Sequence, residues 1–343
     1  MKIGLLAVAL AWNQALPPPP PPPEPITVAA SGDFLIHTPV ADRALALGGG
    51  ARYDFAPLFA GVRRHVAGAD LAICHMETPL VPGPVQGYPV FRTPPSLAGS
   101  AKRVGWDVCS TASNHSLDAG QYGIGTTLRA LERAGLARHG TARSAAERRR
   151  IPILEAGNTK VAVLSYTAIS NGQAVPHPWS VNWAVAPAIL ADARRARRRG
   201  AGLVIVNLHW GAEYVQDVTP EQAELARRLT RSSAIDAIVG QHVHVVQPIR
   251  FIGGKPVVFG EGNLVSNQTA ACCPAASQDG LVALIDFEPT GDGGMRARRV
   301  RYVPTYVRHP DYAVVPAEPG SASWNRTVAV AGRRPLVRPV PPN

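Results

Sequence analysis

The stretch Gly240-Gln241-His242-Val243-His244 follows the mainly apolar residues 235–239. A short apolar run that includes β-branched residues predicts a buried strand. Two histidines that directly follow a strand can face one point if the chain leaves the sheet there in a loop. Neutral imidazole binds Zn, Mn, Fe or Ni. The stretch therefore predicts metal ligands at a strand end, and its alternative is a pair of ordinary loop histidines.

The same arrangement recurs after four other predicted strands. Asp33 follows residues 26–31, Glu77 follows 69–74, Asn114 follows 107–111 and His209 follows 202–208. Strand ends on one side of an α/β sheet form its active crevice. Each residue alone is also typical of a turn, a cap or a backbone contact. Their recurrence at five strand ends favours a two-metal centre that activates water and stabilises charge on a substrate.

Two further residues near the third strand suit proton transfer. His115, next to Asn114, is placed to donate a proton to a leaving group or to hold the transition state. Asp118, three residues on, can orient that imidazole.

The order of elements predicts a mixed α/β sandwich. Strands first alternate with helices and later come as hairpins, which places helices on the faces of sheets. The predicted helices are residues 53–66, 97–104, 126–134, 186–199 and 220–232. The pattern after Pro310 is weak.

The composition allows a large core and makes the chain strongly basic. The chain has 343 residues, 46% of them apolar, and a net charge of +11. Such a charge suggests nucleic acid or an anionic surface. Nearly all of it is arginine, however, and Arg/Ala/Pro/Gly-rich composition is typical of GC-rich genomes.

The first 24 residues predict export. Lys2 is followed by an apolar run, residues 3–12, and by an unbroken proline run, residues 17–23. This order is typical of a secretory signal followed by a stiff spacer, and its alternatives are a misassigned start and a disordered tail. No later run is apolar and long enough to predict a transmembrane helix in the mature chain.

The four cysteines lack zinc-finger spacing. In an exported protein, Cys272 or Cys273 is expected to join a disulfide, and the pairing stays open.

The chain resembles the CapA family of poly-γ-glutamate capsule synthesis, a branch of the calcineurin-like metallophosphatase superfamily. The resemblance covers about residues 26–308 and is carried by segments 32–33, 76–80, 113–120, 209–214, 240–248 and 262–263. It implies a four-layer α/β/β/α sandwich with two mixed sheets. It also implies that Asp33 and His244 bind one metal, that Asn114, His209 and His242 bind the other, and that Glu77 bridges them. His115 matches the family's general acid, and Glu213 and Asn263 match positions that line the site.

Three departures affect the first metal site. Metallophosphatases have Asp-x-His in the first motif, and Leu35 stands here in place of the histidine. Glu77 replaces their bridging Asp, and His75 stands where the capsule family has Asn. His37 and His75 are therefore candidate additional ligands.

The sequence as a whole predicts an exported metal-dependent hydrolase that uses metal-activated water. Its expected substrate is a phosphoester or a γ-glutamyl amide, in an anionic envelope polymer or a phosphorylated small molecule. The expected cofactor is two divalent ions of Mn, Zn or Fe, and the alternative is a one-metal centre or one completed by water. The first alternative is a non-catalytic protein that tethers the polymer, and the second is a nucleic-acid phosphodiesterase, although no stable nucleic-acid partner is expected. The expected domains are a signal and spacer (1–24), a CapA-like domain (25–308) and a C-terminal extension (309–343).

Overall fold

The computed structural model describes residues 22–291 and 294–342. Most of the expected export signal and spacer, residues 1–21, lies outside this range. Within the described residues no helix has the length and hydropathy needed to cross a bilayer.

The larger of two sheets holds nine strands within the described part of the chain. Strands are numbered in chain order, β1 to β15. This sheet contains β1 (Ile26–Phe34), β2 (Leu71–His75), β3 (Val108–Ser110), β4 (Ala137–His139), β11 (Asn263–Val265), β12 (Asp279–Pro289), β13 (Met295–Arg308), β14 (Ala313–Pro316) and β15 (Val337–Pro339). Its main order is β14-β13-β12-β1-β2-β3-β4. Strands β1 to β4 pair in parallel, whereas β12 pairs antiparallel to β1 and β13, so the sheet is mixed.

The smaller sheet holds six strands within the same described residues. It contains β5 (Ile153–Ala156), β6 (Thr159–Thr167), β7 (Leu203–His209), β8 (Ala237–Gln241), β9 (Ile249–Ile252) and β10 (Lys255–Val258), in the order β5-β6-β7-β8-β10-β9. Its centre, β6-β7-β8-β10, is parallel, and a hairpin closes each end.

Helices cover the outer face of each sheet. The helices of the described residues are α1 (Thr38–Leu47), α2 (Arg63–Ala67), α3 (Ser96–Val104), α4 (Gly120–Arg133), α5 (Ala145–Arg148), α6 (Ala186–Arg198), α7 (Pro220–Thr230) and α8 (Ala322–Ala331), with 3-10 helices at Ala56–Val62 and Ala275–Gln278. One apolar cluster lies between the two sheets. A second joins the larger sheet to α1, α2 and α3, and a third joins the smaller sheet to α6 and α7. The expected four-layer α/β/β/α sandwich is confirmed.

Two helix predictions need correction. Residues 53–66 have helical apolar spacing, yet the chain there forms a 3-10 helix, Ala56–Val62, followed by the five-residue α2. The helix expected at 126–134 begins earlier, at Gly120, because the small and polar residues of its first turns carry little apolar signal. Helix α1 was not predicted.

The residues after 308 add elements that the weak sequence pattern did not predict. Strand β14 pairs with β13 in antiparallel fashion, and β15 pairs with β13 in parallel. Both complete the larger sheet, and α8 packs on β12 and β13.

The cysteine expectation is wrong. Cys74 and Cys109 form a disulfide, whereas Cys272 and Cys273 are free. Cys74 on β2 lies directly opposite Cys109 on β3 in the parallel register. Strand pairing therefore joins two cysteines that are 35 residues apart in the chain.

Candidate metal centre

The polar residues from five strands meet at one edge of the sandwich. Asp33 lies near the end of β1, and His75 and His209 are the last residues of β2 and β7. Glu77 and Asn114 follow β2 and β3, while His242 and His244 follow β8. Because these strands are parallel neighbours within each sheet, their carboxyl ends present side chains to a common crevice.

Asp33 is the most central of these residues. Its side chain is fully buried, and its Oδ2 lies 3.2 Å from Nδ1 of His244 while its Oδ1 lies 3.7 Å from Nε2 of His75. The backbone N–H of His242 approaches both carboxylate oxygens, at 3.3 and 3.4 Å. Asp33 thus stands between histidines from both sheets.

Glu77 is a buried carboxylate that receives no hydrogen bond from the described part of the chain. Among the described residues neither of its oxygens has a hydrogen-bond partner, and Oε1 lies 3.6 Å from Nε2 of His244. Burial, and then the charge of Asp33, raise the pKa of Glu77 well above its usual value. A buried carboxylate is costly unless it is paired or coordinates a cation. Its position therefore fits a cation ligand.

The pKa values of the crevice histidines are shifted in opposite directions. Burial lowers the pKa of His75 to about 4 and that of His242 to about 3, and it also lowers the pKa of His209. Burial likewise disfavours charge on His244, but Glu77 and Asp33 outweigh it and raise its pKa to about 9. Burial therefore favours the neutral form of the first three rings, which is the form that ligates metals.

Two groups of ligand atoms are compact enough to hold a cation. Asp33, His75 and His209 form one group, and Asp33, Glu77 and His244 form the other, with the ligand atoms of each group within 4.8 Å of one another. Oδ1 of Asn114 lies 2.9 Å from Nε2 of His209 and adds an oxygen ligand beside the first group. The donor set of carboxylates, imidazoles and an amide fits a divalent metal.

The grouping differs from the one implied by the resemblance. Asp33, rather than Glu77, is shared by the two groups, and Glu77 lies with His244. His75, expected only as an additional candidate, belongs to the other group. The ring of His242 lies 4.6 Å from that of His209, and its Nδ1 has no hydrogen-bond partner among the described residues.

Three other candidates surround the ligands. Nδ1 of His37 accepts a hydrogen bond from the backbone N–H of Asn267 at 3.1 Å, and His37 belongs to neither group. Oδ1 of Asn263 lies 3.0 Å from Nδ1 of His244, so this residue orients a ligand. Glu213 is exposed and lines the adjoining cavity.

The loop after β8 has an unusual backbone. His242 has φ 91° and His244 has φ 56°, in the left-handed region that non-glycine residues rarely adopt. Such strain persists where the surroundings impose it, and it clusters at functional sites. Gly240 precedes them because a Cβ there would lie 2.0 Å from the carbonyl oxygen of Phe259. This loop is therefore held in the geometry that turns both imidazoles into the crevice.

His115 and Asp118 form the expected pair. Nδ1 of His115 lies 2.8 Å from Oδ2 of Asp118, whose side chain is fully buried. The same carboxylate accepts hydrogen bonds from the backbone N–H of Phe91 and from Nε2 of Gln173. Asp118 is thereby fixed on three sides, and Nε2 of His115 is left for a substrate.

A cavity of ≈ 460 Å³ adjoins the centre. His115 and His244 line it together with Tyr88, Phe91 and Tyr214. Its size is that of a small-molecule site. The proton-transfer pair and one ligand histidine therefore face the same space.

Sequence reasoning missed Asn171. Its Oδ1 accepts a hydrogen bond from Nδ2 of Asn114 at 3.2 Å, and its Nδ2 lies 3.5 Å from Nδ1 of His115. It lies in a long loop after β6 with no strand-end signal, so nothing in the local pattern identified it.

The sequence matches a known protein family and several relatives. A family model described as "Bacterial capsule synthesis protein PGA_cap" matches residues 27–268. The chain is 25% identical over 281 residues to capsule biosynthesis protein CapA of Bacillus anthracis, covering 78% of this chain and 67% of the relative. It is 30% identical over 169 residues to PGA biosynthesis protein CapA of Bacillus subtilis, covering 49% of this chain and 44% of the relative. A probable polyglutamine synthesis accessory protein of Mycobacterium tuberculosis is 31% identical over 179 residues, covering 47% of this chain and 45% of the relative. The match thus spans less than half of the length of the last two relatives.

Two solved structures share the fold. A calcineurin-like phosphoesterase of Bacillus subtilis has a TM-score of 0.50 and 14% identity, covering 89% of this chain and 96% of its own. A putative 5'-nucleotidase of Staphylococcus aureus has the same TM-score and identity, covering 87% of this chain and 55% of its own.

Proposed function

This chain belongs to the PGA_cap family of bacterial capsule synthesis proteins and has a metallophosphatase-like fold, and from this we propose that it is an exported metal-dependent hydrolase. The bond it cleaves is a phosphoester, or an amide or γ-glutamyl bond of a capsule or envelope polymer. The polymer assignment is supported by the names of the relatives, and the chemistry by the crevice itself.

The observation that carries the proposal is the Glu77 carboxylate. It is 1% exposed, both oxygens lack a hydrogen-bond donor among the described residues, and it lies beside Asp33 and His244. Two carboxylates this close and this buried repel each other unless a cation lies between them. A structural role for Glu77 would instead supply hydrogen-bond donors.

The residues that would hold two cations are Asp33, Glu77, His75, His209, His244, Asn114 and His242. Divalent cations bound there supply Lewis acidity and a lowered pKa of coordinated water. Asp33 is common to both groups and sets their spacing, while the strained loop after β8 supplies His242 and His244.

His115 is the proposed general acid, which donates a proton to the leaving group. Its Nδ1 donates to Asp118, so Nε2 is the nitrogen that can face a substrate in the cavity. The edge of Phe91 packs against the ring, with centroids 4.7 Å apart and planes at 84°, and limits its rotation. Orientation by a carboxylate and by packing suits a general acid.

We extend the proposal to export on the basis of Cys74–Cys109. Disulfides persist mainly in oxidising compartments such as the periplasm and the cell exterior. Fractionation of cells that express the full chain tests this, and finding the protein only in the cytoplasm contradicts it.

A second candidate function is a non-catalytic accessory role. The Mycobacterium tuberculosis relative is described as an accessory protein of polyglutamine synthesis. In that role the chain would hold an anionic polymer through its arginine-rich surface, and the centre would stabilise the fold.

Elemental analysis of the purified protein, followed by a panel of phosphomonoester, phosphodiester and γ-glutamyl substrates, separates the two functions. We expect bound divalent metal and turnover that chelation abolishes. His115→Ala should then lose turnover and keep its metal. Bound metal without turnover on any substrate supports the accessory role, and absence of both metal and metal-dependent activity contradicts the hydrolase.

A further inference from the structure

A second cavity, of ≈ 490 Å³, lies beside the edge strand β4. It is lined by residues of β4, α5 and the segments around them, including His139, Thr141 and Arg150. It shares no lining residue with the cavity that contains His115. It is therefore a separate site from the candidate metal centre.

Guanidinium groups dominate its lining. Arg138, Arg148, Arg150 and Arg199 line it, against the carboxylates of Glu132 and Glu147. The four guanidinium groups outnumber the two carboxylates, so the lining carries a net positive charge.

The carboxylates nearby are already engaged. Glu147 pairs with Arg138 at 2.7 Å and with Arg143 at 2.5 Å, and Glu132 pairs with the same two arginines. Asp192, behind the lining, pairs with Arg148 at 3.0 Å and with Arg195 at 2.9 Å. Each of these acids is shared between two arginines and cannot neutralise further positive charge.

Arg150 is the one guanidinium group of this lining that has no partner among the described residues. It is exposed, it lines the cavity, and its guanidinium has no ion pair or hydrogen bond with any residue in the described ranges. Arg199 opposite it donates from Nη1 to the carbonyl oxygen of Ile151 at 3.0 Å, which holds that guanidinium in place.

A buried donor lies in the same wall. His139 is 4% exposed, and its Nδ1 accepts a hydrogen bond from the backbone N–H of Ser165 at 2.8 Å. The neutral ring therefore carries its hydrogen on Nε2, which has no hydrogen-bond partner among the described residues. A buried donor without a partner, in the same lining as the unpaired guanidinium of Arg150, matches an anion.

We propose that this cavity binds carboxylate groups of a polycarboxylate chain, and so anchors an anionic polymer at a distance from the metal centre. The proposal rests on the proposed function for the identity of the polymer. Planar guanidinium groups pair with carboxylates in a two-point fashion. The lining also contacts the loop that carries Asn114, because Oγ1 of Thr141 lies 2.9 Å from Oγ1 of Thr111 at the start of that loop.

The test measures binding of a fluorescent γ-linked glutamate oligomer to the full chain in chelator, so that the metal centre cannot contribute. Arg150→Gln is compared with Arg63→Gln, an exposed arginine of α2 that does not line the cavity. We expect about a tenfold weaker affinity for Arg150→Gln and an unchanged affinity for Arg63→Gln, with partial recovery in Arg150→Lys. Inorganic phosphate at equal ionic strength should compete poorly.

Three results would overturn the proposal. The first is equal affinity of the two glutamine variants, and the second is absence of binding by the parent chain. The third is displacement of the bound fluorescent oligomer by phosphate at the same concentration at which unlabelled glutamate oligomer displaces it. Metal-dependent turnover of a small phosphoester is measured on the same variants and should be unchanged. If no substrate is turned over while oligomer binding still depends on Arg150, the hydrolase proposal fails and the anchoring site stands.

Discussion

The imidazole of His75 stacks on that of His209, with ring centroids 4.9 Å apart, and Nε2 of the first lies 2.9 Å from Nδ1 of the second. The amide oxygen of Asn114 can only accept, so His209 donates to it from Nε2. Nδ1 of His209 must then accept from Nε2 of His75, whose own Nδ1 accepts from the hydroxyl of Ser110 at 2.5 Å. These contacts determine both tautomers and tie the two sheets together across the crevice.

The first prediction concerns His75. Binding a cation through Nε2 of His75 requires its hydrogen to move to Nδ1, where Ser110 can accept it. We expect His75→Gln to weaken metal binding at least about tenfold, since loss of even an indirect partner of a metal site costs that much. Titration of the metal-stripped protein with Mn or Zn measures this. His37→Gln is the matched control and should bind metal normally, because His37 belongs to neither ligand group. Equal metal affinity in both variants would remove His75 from the centre.

The second prediction concerns Glu77. In the metal-free protein Glu77→Gln should leave the melting temperature unchanged or raise it, because the substitution removes a buried acid without hydrogen-bond partners in the described chain. The rise in melting temperature on adding metal should shrink, since stabilisation by a ligand follows its affinity. Thermal melts with and without chelator measure both. Glu261→Gln changes an equally buried acid that accepts from Gln241 at 2.7 Å, and it should keep the metal response. A normal metal response in Glu77→Gln would contradict the assignment.

The third prediction concerns the His115–Asp118 pair. His115→Ala should lower kcat about 10²–10⁴-fold on a substrate with a poor leaving group, the usual contribution of a general acid. Metal content should not change, because neither residue is in a ligand group. The loss should be much smaller on a substrate whose leaving group needs no proton. A loss that is the same for good and poor leaving groups would assign His115 to a different role.

The fourth prediction concerns the disulfide. Cys74→Ala with Cys109→Ala should destabilise the fold by about 2–4 kcal/mol, the usual effect of a native crosslink. Reductant should lower the melting temperature of the parent chain and leave that of the double variant unchanged. The pair Cys272→Ser and Cys273→Ser serves as the control, because both thiols are free and not buried. If reductant acts on the double alanine variant as on the parent, the crosslink does not form.

The fifth prediction concerns stability in acid. Burial lowers the pKa of His139 from 6.5 to about 4. Between these values the unfolded chain binds a proton that the folded chain does not, so the free energy of unfolding falls as pH falls from 6.5 towards 4. The contribution of this one group is roughly 3 kcal/mol across that range. Urea unfolding at several pH values should show a shallower dependence in His139→Gln than in the parent, and parallel curves would contradict it.

The site residues at the strand ends were predictable because an apolar run and a polar, metal-binding residue type occur there together. Asp33, Asn114, His209 and His244 each follow an apolar run, and parallel pairing brings such positions together without further information. The four-layer fold follows from the same alternation of strands and helices.

The disulfide, the shared role of Asp33 and the last two strands were not predicted, because they depend on strand register and on contacts between residues far apart in the chain. Cys74 and Cys109 become neighbours only when β2 and β3 pair in one particular register. The sharing of Asp33 between two groups depends on how the sheets face each other, which no local pattern encodes. The final strands, β14 and β15, are too short to give an alternating pattern, and they form because β13 offers them an edge.

The ligands project from strands in the interior of both sheets, with β1, β2, β7 and β8 each paired on two sides. Little chain therefore has to become ordered when a cation binds, and the entropy that many metal sites lose in closing a loop is already lost in folding. The stripped protein should keep its native fold and its slowest-exchanging amides. Metal binding should then be reversible without unfolding. One protein preparation can therefore be stripped of metal and reconstituted with different metals, so that their affinities are compared on the same sample.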